Sequence, residues 1–60
     1  MNIPTEHKQR IRELWTEIED QEPDISTERL ISFVVERINN ELSTDYDCGD
    51  VCEAMRPEDI

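Results

Sequence analysis

The chain has 60 residues, which is one domain at most, and a chain this short hides only about 60% of the surface that its unfolded form exposes. A core of that size leaves no room for a deep cleft, so its length argues against an enzyme and against a bound cofactor. Sixteen acidic residues oppose six Lys and Arg, for a formal net charge of −10. This charge disfavours direct contact with nucleic acid or with an anionic membrane, and it favours a basic protein surface as partner.

The sequence predicts neither a signal peptide nor a membrane-spanning segment. No apolar run approaches the roughly 18 residues of a spanning helix, and residues 1–20 lack the apolar stretch of a signal peptide. We therefore expect a cytoplasmic protein, in which two cysteines remain reduced thiols more often than they form a disulfide.

The first segment is expected to form a helix near residues 4–20. Pro4 suits the first turn of a helix, because its missing N–H has no intrahelical partner there, and Pro23 ends the pattern. Apolar residues at i, i+3, i+4 and i+7 make one stripe, which consists of Ile11, Leu14, Trp15 and Ile18. We expect this stripe to face the core with Trp15 as its anchor, and His7 lies on it one turn earlier.

The second helix is predicted near residues 26–42. Ser26 is a good N-cap, and Ile25 before it can pack on Leu30 as a hydrophobic staple. The apolar face of this segment covers the widest arc of the three, which makes it the central helix. That face is formed by Leu30, Ile31, Val34, Val35, Ile38 and Leu42.

The third helix is predicted near residues 46–55, with Thr44 or Asp47 as its N-cap and an acid three residues later in either case. Its apolar stripe is formed by Cys48, Val51, Cys52 and Met55. Free cysteine behaves as a small buried hydrophobe. Both thiols are therefore predicted to pack against the second helix, while Asp50, Glu53 and Ala54 point elsewhere. Residues 56–60 are expected to form a frayed tail.

Other uses of the two thiols stay open. Residues four apart on a helix hold their Cβ atoms about 5–6 Å apart, whereas a disulfide requires about 3.5–4.5 Å. A bridge within the chain would need distortion at Gly49, and a bridge between two chains would need a facing partner. Structural zinc needs four ligands, so His7 and a carboxylate would have to join the thiols. An EF-hand fails, because the sixth residue from Asp45 is Asp50 and not glycine. No metal site is predicted.

These patterns predict an all-α protein, a small three-helix domain over residues 1–60. Phe33 projects away from the apolar face of the second helix, between Arg29 and Arg37. An exposed aromatic flanked by arginines is typical of an interface hot spot, although a neighbouring helix could cover it instead. If Phe33 is exposed, a homodimer through the second helix would use it and enlarge a thin core.

The acidic residues suggest a function by contact. Solubility of a small domain needs only about 2–8 net charges, and this chain exceeds that range. We expect a non-enzymatic regulatory module that docks on a basic protein surface. Alternatives are a DNA mimic that inhibits a nucleic-acid-binding protein, and a helical protein adapted to high salt whose charge is unrelated to a partner. The expected partner-binding residues are Glu13, Glu17, Asp20, Phe33, Asp47, Asp50 and Glu53.

Overall fold

The computed structural model describes residues 3–56, and within that range it contains three α-helices and no strand. The helices are α1 (Thr5–Gln21), α2 (Thr27–Leu42) and α3 (Cys48–Met55). Each helix packs against both of the others. The predicted all-α, three-helix architecture is confirmed, with bounds that differ from the expected ones by one or two residues. The expected tail over 56–60 lies outside the described residues except for Arg56.

Two prolines that flank α1 mark its two ends. Pro4 occupies the N-cap position, and its carbonyl accepts the N–H of Lys8 at 3.0 Å. At the other end, the N–H of Glu22 donates to the carbonyl of Ile18 at 2.9 Å, and Pro23 follows directly. Because proline cannot donate a further helical hydrogen bond, the chain turns away at this point.

The predicted cap of α2 is confirmed, since the Ser26 hydroxyl accepts the N–H of Arg29 at 3.4 Å. The helix ends at Ser43, which adopts the left-handed conformation with φ of 53°. That turn brings the N–H of Thr44 to the carbonyl of Asn39 at 3.2 Å. A left-handed residue is a common way to end a helix, although glycine usually occupies the position.

The core draws on all three helices and on the segment before α1. Its fully or almost fully buried apolar residues are Ile3, Ile11, Leu14, Ile18, Leu30, Val34, Ile38, Val51 and Ala54. Trp15, the expected anchor, is only half-buried and packs against the edge of this cluster. None of the described helices combines the length and the apolarity that crossing a bilayer requires.

Candidate interaction surface and thiol pair

The first candidate site is an acidic row on the exposed side of α1. Glu13, Glu17 and Asp20 recur at i, i+4 and i+7, which places them on one side of the helix. All three are exposed, and with Arg12 and Thr16 they line a shallow groove of about 460 Å³. The structure thus brings together three of the residues that the sequence indicated, and we call this feature the α1 groove.

The two arginines of α1 offset the charge of this row only in part, because Arg10 is shared between Glu13 and Glu41 and Arg12 is held by backbone carbonyls at the edge of the groove. Arg10 donates two hydrogen bonds to Glu41 of α2, at 2.5 Å from Nε and 2.7 Å from Nη2, and one to Glu13 at 3.2 Å. Hydrogen bonding to Arg10 lowers the pKa of the Glu41 carboxyl below its ordinary value of 4.5, and the pair raises the pKa of Arg10. Within residues 3–56, Glu17 and Asp20 make no ion pair.

The second arginine, Arg12, binds the end of α3. Its Nε donates to the carbonyl of Ala54 and its Nη2 to that of Arg56, both at 3.1 Å. The last carbonyls of a helix lack intrahelical partners, so a guanidinium placed there satisfies two of them. Arg12 therefore belongs to the groove and also fixes α3 against α1. Local sequence gave no signal for this contact, because 42 and 44 residues separate the partners.

The acidic residues around α3 are used differently from those of α1. The Asp47 carboxylate accepts the N–H of Asp50 at 2.9 Å, and the Asp50 carboxylate accepts the N–H of Asp47 at 3.1 Å. This reciprocal capping box confirms Asp47 as the N-cap. Asp50, expected at the contact surface, is buried with 8% exposure. Of the three expected contact residues in this region, Glu53 alone is both exposed and outside the box.

The predicted orientation of α3 is wrong. Cys48 and Cys52 are both exposed free thiols, and the helix buries Val51 and Ala54 instead. Two overlapping stripes exist in this segment, and both include Val51. The second stripe consists of Asp50, Val51 and Ala54, and it is the stripe that packs against the core. Ala54 then meets the core, and the two thiols turn to solvent.

Phe33 lies on a separate part of the surface. It is 41% exposed, which settles the two readings of this residue in favour of the exposed one within a single chain. Together with Arg29 it lines a groove of about 640 Å³ against the α1–α2 connection, over residues 21–26. This groove shares no lining residue with the α1 groove. The expected contact residues therefore lie on distinct surfaces.

His7 has a structural partner at the α2–α3 connection. Its Nδ1 lies 2.5 Å from the Tyr46 hydroxyl, and the two rings meet edge to face with centroids 5.7 Å apart. Asn39 holds the backbone of Tyr46 on both sides, since its amide donates to the carbonyl at 2.9 Å and accepts the N–H at 2.8 Å. The zinc arrangement with His7 is not formed, because no three potential ligand residues cluster within residues 3–56.

Comparison of the chain with protein-family models, with curated proteins and with solved structures gave no match. Function is therefore argued from the surfaces described above.

Proposed function

We propose that this protein is a non-enzymatic regulatory module that binds a basic surface of a partner protein through the α1 groove. The observation that carries the proposal is the convergence of Glu13, Glu17 and Asp20 on one exposed groove, in which Glu17 and Asp20 make no ion pair with any residue of 3–56. The excess negative charge of the whole chain adds to the local field.

The groove suits a lysine or arginine side chain of the partner. Carboxylates on successive helical turns lie about 5–6 Å apart, so an inserted cation can face two of them at once. The alkyl stem of such a side chain packs along a helix surface while its charged end stays near the carboxylates. Complementary charge speeds association, and the complex is expected to weaken as salt rises.

Glu53 and Phe33 remain candidate contacts outside the groove, whereas the buried Asp50 is left out of the proposed surface. A homodimer through Phe33 and α2 is a separate proposal, and sedimentation of the purified chain at several concentrations tests it. We propose that the protein acts in the cytoplasm, where a reducing compartment would keep the two exposed thiols unpaired.

Affinity capture from a lysate with matched charge variants tests the groove. E13Q/E17Q/D20N removes three charges from it, and E19Q/D24N/E36Q removes three from exposed positions that do not line it. We expect a basic protein to be captured by the wild type and by the second variant, and lost with the first. Equal capture by both variants would contradict the proposal. Displacement of the captured protein by DNA would instead identify the chain as a DNA mimic.

Salt dependence of folding separates a partner-related charge from an adaptation to high salt. The far-UV circular dichroism of the chain should show the helix content expected for α1, α2 and α3 already at low ionic strength. The capping box and the core do not depend on added ions. A chain that becomes helical only in molar salt would favour the halophilic alternative.

A further inference from the structure

We propose that Cys48 and Cys52 form a dithiolate site for one copper(I) ion on the exposed face of α3. Both thiols are free and face solvent, and they stand at i and i+4 of the same helix. They take no part in the core or in the capping box.

The spacing suits a bridging ion better than a disulfide. One helical turn holds the two Cβ atoms about 5–6 Å apart, and a disulfide requires about 3.5–4.5 Å. Two metal–thiolate bonds of about 2.3 Å let the sulfur atoms lie up to about 4.6 Å apart, which regular helical geometry permits. A metal ion can therefore join the thiols without unwinding α3.

Two thiol ligands favour copper(I) over zinc. Structural zinc takes four ligands, and within residues 3–56 no third histidine, cysteine or carboxylate residue joins the pair. Thiolates favour soft cations, and copper(I) is a soft ion that is stable with two sulfur ligands in a line. Binding releases both thiol protons and gives a bis-thiolate copper(I) anion, with no change in oxidation state.

The surrounding charge disfavours a site shared between two chains. Asp45, Asp47 and Glu53 are exposed close to the thiols in sequence, and they add to a strongly negative chain. The negative potential of this face opposes the approach of a second α3 face, and so it disfavours an ion shared between the thiols of two chains.

Competition with a coloured copper(I) chelator, under anaerobic reducing conditions, tests the site on the full chain. The control variant C52S/E53C keeps two cysteines at exposed positions but moves one out of register, and E53Q controls for the lost carboxylate. The wild type and E53Q should each withdraw one copper(I) per monomer. C52S should bind about a hundredfold more weakly, since joining two ligands on one scaffold supplies an advantage of that order. C52S/E53C should also bind more weakly than the wild type, because its two thiols no longer lie on one side of the helix.

Native mass spectrometry and circular dichroism complete the test. A single copper(I) on a folded monomer, with helix content unchanged in every variant, supports the proposal. Equal affinity of C52S/E53C and wild type would overturn it, because the register of the thiols would then not matter. A species with one metal ion and two chains would also overturn it, in favour of a site shared between copies.

Discussion

The acidic residues of α1 and those of α3 look alike in the sequence but serve different purposes in the fold. The acidic row of α1 makes no hydrogen bond to the described backbone and lines an open groove; it consists of Glu13, Glu17 and Asp20. Asp47 and Asp50 instead hold the first turn of α3 by reciprocal hydrogen bonds. The difference lies in position, because backbone N–H groups need acceptors only at the start of a helix. Acidic residues in the middle of a helix remain available to a partner.

The largest expected effect concerns which face of α3 is buried. V51S removes apolar contacts and places a hydroxyl in the core, which should lower the free energy of unfolding by about 2–3 kcal/mol. The neighbouring substitution C52S changes an exposed side chain and should stay within about 0.5 kcal/mol. Urea unfolding followed by circular dichroism measures both. A larger loss from C52S than from V51S would reverse the orientation described for α3.

A smaller effect compares the two sets of acids directly. D50A removes one half of the capping box and should cost about 1–2 kcal/mol. D50N retains an oxygen acceptor and should recover part of that loss. E17Q changes an exposed residue of the α1 groove, and we expect its melting temperature to match the wild type. If E17Q and D50A destabilise the chain equally, the two regions do not differ as described.

Periodicity and caps predicted the helices well, because both depend on residues close in sequence. The N-caps of α2 and α3 are Ser26 and Asp47, as the sequence predicted. The apolar stripe of α1 also faces the core as expected. The orientation of α3 was missed because periodicity alone could not choose between two stripes sharing Val51. A helix of eight residues has only about two turns, which is too short for the periodicity to show which stripe is buried.

Long-range polar contacts could not be predicted from the sequence. Arg12 binds α3, and His7 meets Tyr46 across 39 residues, yet neither contact has a local pattern. Within the candidate site, the acidic row on α1 could be predicted from the sequence, because helical spacing alone places its residues on one side of the helix. The two thiols were recognised as a pair in the sequence, but their exposure depends on which stripe of α3 packs against the other helices.

Arg12 links the two regions, so its removal should affect them unequally. R12A leaves the carbonyls of Ala54 and Arg56 without their donor and should cost about 1 kcal/mol. Hydrogen exchange should speed up for the amides of α3 and little for those of α2. R29A removes the same charge from an exposed position and serves as control. Uniform acceleration across all three helices would show that Arg12 does not act on α3 specifically.

The smallest effect is the pH dependence of the Arg10–Glu41 pair. Because the folded pKa of Glu41 is lowered, its stabilisation is present above the ordinary value of 4.5 and is lost as pH falls through the folded value. E41Q should therefore melt slightly below the wild type at pH 7, and the gap should close in acid. Both side chains are exposed, so added salt should shrink the gap at pH 7. A gap that widens in acid would contradict this assignment.

The reaction of the two cysteines with iodoacetamide, a neutral reagent, tests the arrangement of α3 most directly. In the folded chain at low denaturant, Cys48 and Cys52 should both be alkylated about as fast as in the chain unfolded by urea, since both are exposed. Protection of either thiol until the helices unfold would contradict the account and return the cysteines to the core.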